Sequence, residues 1–294
     1  MYSSESLLTY VTLFILQRFV QITCLIDPFL LFPPLKQCYC GVANDNKTRD
    51  VDALKIIGGT VTGYHEFPWS VQVLHKNLTV CGGTIISDLF VLTAAHCYRN
   101  DFKQTRLKVI IGQHDMCSNN NDVTVLSVRK IIQHEEYDIR TYYADIMLLK
   151  LSMRMTFSKF IAPICLPRFK FDVQQLYFGR RGVIVGWGVF EIDSLALSCE
   201  PRKVYVPILS KNQCGNVTYT SAVFCAGYLE GGTGFCDGDS GGPFMLRNDY
   251  GQYEVIGITS NSFGCAEQGQ PGVYTDVTAF LPWILRHVYG SKWC

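Results

Sequence analysis

The run Gly238-Asp239-Ser240-Gly241-Gly242-Pro243 places a hydroxyl between glycines. A serine so flanked can sit in a tight turn with its Oγ exposed, while nearby backbone N–H groups converge on a developing oxyanion. The same composition also makes an ordinary surface loop. A hydroxyl becomes a nucleophile only with a base beside it. Thr93-Ala94-Ala95-His96-Cys97 follows Phe90-Val91-Leu92, which puts an imidazole at the end of a predicted strand and next to a residue able to crosslink it. A histidine alone is more often structural. Asp145 leads the apolar Ile146-Met147-Leu148-Leu149. An acid there is expected to be buried and so to need a partner, which His96 could be. Together, these three residues point to nucleophilic acyl transfer.

The elements that must position them are short apolar segments separated by turn residues. They are Ser70 to Leu74, Gly83 to Ile86, Leu107 to Ile111, Val123 to Leu126, Ile146 to Leu151, Val183 to Val185, Val204 to Ile208 and Tyr253 to Ile258. This spacing predicts an all-β sandwich or barrel arrangement. Only the end reads as helical: Phe280, Leu281, Ile284, Leu285 and Val288 recur at steps of three and four within Val277 to Val288. Residues 41 to 55 form a polar stretch, read as an exposed linker, that ends at Lys55-Ile56-Ile57-Gly58-Gly59. A trypsin-like enzyme could cut after Lys55.

Of the 294 residues 48% are hydrophobic and 17% charged, enough for one large core or two modest ones. The formal net charge is +1 with no basic run, so nothing points to nucleic acid. Thirteen cysteines without paired CxxC spacing point to an oxidising, extracellular destination rather than a zinc site. Sequons at Asn46, Asn77 and Asn216 agree with a secreted glycoprotein. The apolar run Leu7 to Leu16 is too short to span a bilayer and is read as the core of a signal peptide over residues 1–23. No Lys or Arg precedes it, and a membrane anchor is the other reading.

The order His96, Asp145, Ser240 resembles the chymotrypsin-like serine peptidase family, and differs from the subtilisin and α/β-hydrolase orders. Further matches are Phe67-Pro68-Trp69-Ser70, Cys81-Gly82-Gly83, Pro163-Ile164-Cys165-Leu166-Pro167, Gly186-Trp187-Gly188, Phe224-Cys225-Ala226-Gly227 and Pro271-Gly272-Val273-Tyr274. They extend from Ile56 almost to the C-terminus, and the pattern is most like secreted arthropod serine protease zymogens. The resemblance implies two six-stranded antiparallel β-barrels with a C-terminal helix, a propeptide over residues 24–55 and a peptidase domain over 56–294. It implies His96 as general base, Asp145 as its orienting partner, Ser240 as nucleophile, the N–H groups of Gly238 and Ser240 as oxyanion hole, and Ser260 as a hydrogen-bond donor to Asp145. Cleavage after Lys55 would free the ammonium of Ile56 to pair with Asp239. The partners implied are a protein or peptide substrate, an upstream activating protease and serpin-type inhibitors, with no cofactor.

The resemblance also pairs Cys81 with Cys97, Cys214 with Cys225, and Cys236 with Cys265. Cys117 with Cys199 resembles an extra bridge of arthropod proteases, and Cys165 would reach Cys40 or, less favoured, Cys38. Cys24, Cys294 and the remaining member of the Cys38/Cys40 pair stay unassigned. A further family bridge is absent, since Gly182 and Leu246 occupy its two places.

By the same comparison Gly234 lies at the base of the primary pocket and Phe235 beside it. A trypsin-like pocket has an aspartate at the base, and a Lys or Arg guest would here be desolvated without a counter-charge. The entrance strand reads Ser260-Asn261-Ser262, without the usual tryptophan and glycine, so a small or medium apolar guest is expected. Gly272 would leave the far wall open to Leu, Met or an aromatic residue. Asp237 adds negative charge at the rim. Gln113 stands where calcium-binding members carry a glutamate, so no metal is expected. Two alternatives are a non-catalytic binding protein on the same fold and a narrow cascade protease.

Overall fold

The computed structural model describes residues 39–44, 59–99, 106–118, 123–190, 196–215, 222–262 and 264–293. The chain divides into Met1–Cys38 and Tyr39–Cys294. The first unit lies outside the described residues, as do Lys55, Ile56, Cys24, Cys38, Cys294 and the sequons at Asn46 and Asn216.

Six strands of the second unit close an antiparallel barrel: β2 (Ser70–His75), β3 (Leu78–Ile85), β4 (Phe90–Thr93), β5 (Leu107–Ile111), β6 (Thr124–Gln133) and β7 (Met147–Leu151), following a two-residue β1 (Thr60–Val61). The barrel order is β2-β3-β4-β7-β6-β5. His75 pairs with Leu78, which leaves Lys76 and Asn77 as a two-residue turn, both at positive φ (53° and 66°). That backbone matches the twist of the flanking strands, and asparagine tolerates it well.

The second sheet contains β8 (Arg181–Gly186), β9 (Arg202–Pro207), β10 (Val223–Ala226), β11 (Pro243–Arg247), β12 (Tyr253–Asn261) and β13 (Gly272–Asp276), with β1 on the outer edge of β9. Its six long strands run β9-β8-β11-β12-β13-β10. The ends of this row meet through an Ile208–Ala226 bridge, with Leu209 N donating to Cys225 O (3.0 Å) and Gly227 N to Pro207 O (3.0 Å). A second barrel is thus closed by the residues just beyond β9. Gly182 and Leu246, where the family bridge is absent, both lie in this barrel; the Phe244 ring covers Gly182 in place of a crosslink.

β8 is apolar and almost wholly buried because it serves two cores. Ile184 packs with Val206, Phe224, Phe244 and Tyr274 inside the second barrel, whereas Val183 and Val185 join the core that includes Trp69, Leu92 and Leu148. Alternation along a strand produces this sharing directly. The C-terminal segment starts as a 3-10 turn, Val277–Phe280, capped by Asp276, and continues as the helix Leu281–Val288. It buries Leu281, Ile284 and Val288 as the periodicity predicts, and Trp283 as well, whose Nε1 donates to Glu135 (3.0 Å). Leu285 is only half-buried.

Among the described residues five disulfides form: Cys40–Cys165, Cys81–Cys97, Cys117–Cys199, Cys214–Cys225 and Cys236–Cys265. The choice left open for Cys165 falls to Cys40. Among the described residues no helix is long and apolar enough to cross a membrane.

Candidate active site

His96 occupies the 3-10 turn Ala95–Cys97 directly after β4, and the Cys81–Cys97 bond ties that turn to β3. Asp145 lies two residues before β7, between an Ala144 at φ 53° and the start of the strand; Tyr142 is also left-handed (φ 57°). Alanine and tyrosine are disfavoured in this conformation, and the surrounding contacts hold them there. The turn is closed by Ile146 N donating to Ala144 O (2.7 Å), and it turns the carboxylate inward.

That carboxylate is fully buried. Oδ2 lies 2.8 Å from His96 Nδ1 and accepts a hydrogen bond from Ser260 Oγ at 2.5 Å, while Oδ1 accepts from His96 N at 2.9 Å. Ser260 reaches it because of a bulge in β12: Thr259 pairs with Tyr274 and Asn261 with Val273, which leaves Ser260 out of the ladder. A bulge re-aims a side chain that regular pairing would direct elsewhere. Thr275 Oγ1 donates to the Asp145 carbonyl (2.9 Å), so β13 also fixes the backbone. The Tyr142 ring meets the His96 ring edge-on at 5.7 Å.

The other nitrogen of His96, Nε2, and the carbonyl oxygen of Ser240 both lie 4.0 Å from Cys97 Sγ. Ser240 is therefore on the imidazole side of the cleft. Its carbonyl is held by Gly82 N (2.8 Å), and Gly241 N donates to Thr259 O (2.8 Å). Gly238 and Gly241 have φ of 95° and 79°. Among the described residues neither Gly238 N nor Ser240 N donates a hydrogen bond, while Asp239 N is engaged by Cys236 O at 3.1 Å.

Asp239 points away from this cleft. Its carboxylate is buried and accepts from Gly188 N (2.9 Å) and Cys236 N (3.1 Å), with no cation beside it among the described residues. Burial raises its pKa to about 6, against the pull of those two amides, and the nearby Asp237 raises it further. A methyl group at Gly186 or Gly188 would collide with this carboxylate. The signal for this in the sequence is the pair of glycines two apart in Gly186-Trp187-Gly188, which leaves one side of the backbone bare.

Gly234, Phe235, Ser262 and Gly272 line one cleft together with Gly227, Ala266 and Tyr274. One expectation changes. Gly272 does not leave the far wall open: the Phe235 ring lies on it, so closely that a Cβ there would meet the ring edge and the Tyr274 hydroxyl. Phe235 is buried and meets Tyr274 edge-on, with ring centroids 5.5 Å apart. The space left holds about one water molecule. Asn261 accepts through Oδ1 from Ser262 N (2.9 Å), and Asp237 is exposed.

Among the described residues three clusters bring His, Cys or Asp ligating atoms together: Cys81, His96, Cys97; Asp115, Cys117, Cys199; and Cys236, Asp237, Cys265. Each contains a disulfide, so the sulfurs are already committed. Gln113 uses its Nε2 to donate to Asp115 O (2.5 Å).

A family profile described as Trypsin matches residues 56–284. The chain is 35% identical over 272 residues to the proclotting enzyme of Tachypleus tridentatus, which covers 87% of this chain and 70% of that protein. It is 34% identical to ovochymase-2 of Mus musculus and 32% identical to serine proteinase stubble of Drosophila melanogaster. Each of these two matches 80% of this chain, but the chain spans only 41% and 31% of their lengths. On the profile match and on the relatives alike, this chain belongs to the trypsin family of serine-type endopeptidases.

Proposed function

We propose that the chain is made as a secreted zymogen that, once cut after Lys55, hydrolyses peptide bonds with Ser240 as nucleophile, His96 as general base and Asp145 as its orienting partner. Residues 1–23 would be a signal peptide, 24–55 the propeptide and 56–294 the catalytic domain. The observation that carries the reading is the buried Asp145 carboxylate with three donors on it, one of them His96 Nδ1. An ionised carboxylate only accepts, so Nδ1 carries the proton and Nε2 is left with its lone pair. Nε2 takes the Ser240 proton as Oγ attacks the carbonyl carbon, and the imidazolium that forms is stabilised by Asp145. It then gives the proton to the leaving amine, and water repeats the sequence to release the acid. The unengaged Gly238 and Ser240 amides receive the oxyanion.

Activation follows from Asp239. Among the described residues no cation stands beside this buried carboxylate between two amides, and the ammonium of Ile56 would supply one after the cut, ordering the adjoining Gly238 and Ser240. Specificity follows from Phe235 on Gly272: a small apolar residue fits beside the ring, and a Lys or Arg finds no counter-charge. Such a restricted cleft suits one or a few protein substrates, and one relative is named for clotting. The partners in this reading are those substrates, an upstream protease cutting after Lys55, and serpin-type inhibitors.

The test is labelling. Protein cut after Lys55 should react stoichiometrically with an organophosphate at Ser240, and uncut protein or Lys55→Gln should not. Failure of the cut protein to react would favour a non-catalytic binding role.

A further inference from the structure

Of the sequons, Asn77-Leu78-Thr79 lies among the described residues, at the tip of the β2–β3 hairpin. Lys76 and Asn77 make the turn, and Leu78 and Thr79 open β3. A sequon is compatible with a glycan only if its asparagine amide reaches solvent in the folded chain, because the sugar is bulky and polar.

Asn77 meets this condition. The residue is exposed, and its Oδ1 accepts from Lys108 Nζ (3.2 Å), while among the described residues Nδ2 makes no hydrogen bond. The amide is therefore held by its oxygen, and the nitrogen that would carry a sugar is unengaged. The φ of 66° is one that asparagine accepts. Leu78 beside it is 71% exposed and offers an apolar surface to the C–H face of a sugar.

The hairpin leads into the catalytic cleft. From its tip β3 runs to Cys81, bonded to the turn that carries His96, and to Gly82, whose N–H holds the Ser240 carbonyl. At about 3.4 Å per residue, Asn77 stands roughly 17 Å along the strand from Gly82. A bulky group on Asn77 is thus anchored within reach of the rim.

We infer that Asn77 carries an N-linked oligosaccharide, and that this glycan screens the hairpin side of the cleft from folded proteins while short peptides pass. The inference rests on the secreted-protease reading above. In the transfer, Asn77 Nδ2 loses one proton and bonds the anomeric carbon of an oligosaccharide supplied by a polyprenyl-pyrophosphate donor in the secretory compartment. The bond from that carbon to the pyrophosphate oxygen breaks, and the lipid pyrophosphate leaves with the electron pair. Thr79 supplies the hydroxyl that the motif requires. Oδ1 is untouched, so the Lys108 bond survives in the product.

The test uses the full-length chain expressed in mammalian cells. Peptide-N-glycosidase in heavy-oxygen water converts a glycan-bearing asparagine to a labelled aspartate, and mass spectrometry should find that label at Asn77 in the parent and in Thr79→Ser. Asn77→Gln and Thr79→Ala should lack it. A bare Asn77 in chain recovered from the medium would overturn this inference alone, whereas a chain that never enters the secretory compartment would overturn the secretion reading with it. The screen is tested on enzyme cut after Lys55, with one cleavage sequence presented as a short peptide and as an exposed loop of a folded carrier protein. Deglycosylating the folded parent, or Thr79→Ala, should raise kcat/KM on the loop about threefold or more and leave the peptide within about twofold. An equal change on both, or none on the loop, would overturn the screen. Organophosphate labelling of the same sample reports the catalytic reading separately; where it fails, affinities for the peptide and the carrier replace kcat/KM.

Discussion

The edge of the Phe235 ring lies so close to Gly272 that the two residues act as one wall, with the Tyr274 hydroxyl closing the corner. Selectivity in this cleft should therefore depend on Phe235 more than on Gly234. Kinetics on a peptide library should give kcat/KM for Ala or Val before the cut roughly 10²-fold or more above Arg or Lys, from the uncompensated desolvation of a cation. Phe235→Ser should raise turnover after Leu, Met or Phe by about tenfold. A preference unchanged in this variant would mean that the ring does not gate the pocket.

Ser260 should tune Asp145 without taking part in bond making. Ser260→Ala leaves the carboxylate with His96 as its remaining side-chain donor, and a loss of about tenfold in kcat is expected with KM little changed. Asp145→Asn should cost about 10⁴ in kcat by presenting an N–H donor to Nδ1, and Ser240→Ala about 10⁶. Steady-state kinetics of the cut enzyme would separate the three. Equal losses for Ser260→Ala and Asp145→Asn would contradict the assigned order of roles.

Gly188 has a backbone amide on the Asp239 carboxylate and no room for a side chain. Gly188→Ala should expel Asp239 and disorder the neighbouring Gly238 and Ser240 amides. The cut variant should lose at least about 10²-fold in kcat while retaining its disulfides and its β-sheet circular dichroism. Full activity would separate Asp239 from the switch.

The buried Asp239 also sets a pH signature. Its folded pKa of about 6 lies above the ordinary carboxylate value, so the native state holds a proton that the unfolded chain has lost. The stability it contributes is present below pH ~4 and is lost as pH rises through about 6, amounting to about 3 kcal/mol. In the uncut protein, the unfolding free energy of the parent minus that of Asp239→Asn should fall by about this amount from pH 4 to pH 7. After cleavage the Ile56 ammonium should lower the pKa and remove the slope. A difference independent of pH in the uncut protein would rule out an unpaired buried carboxylate.

Much of this architecture was legible in the sequence because it rests on local chemistry. His96 beside Cys97, Asp145 before an apolar run and Ser240 among glycines each name their own neighbourhood, and the cysteines find the partners the resemblance implies. The strands around Val223, Pro243 and Gly272 were less readable, since Cys, Pro and Gly interrupt their apolar patterns. The bulge that frees Ser260 left no mark, because register is set by the partner strand and not by the residue itself. The contact of Phe235 with Gly272 was missed for a related reason: a glycine reads as empty space until the residue that fills it is placed. The bare backbone at Gly186 and Gly188 is visible in the sequence, but the carboxylate that fills the room, Asp239, lies about fifty residues away.

The Cys40–Cys165 bond joins residues 125 apart in sequence, on opposite sides of Lys55. A cut between them would double the number of chain ends while adding only one water to the mass of the molecule. The leading piece would remain at high local concentration beside the body of the enzyme instead of diffusing away. Any address it carries would be inherited by the active species, so where the enzyme works would be decided before it is switched on.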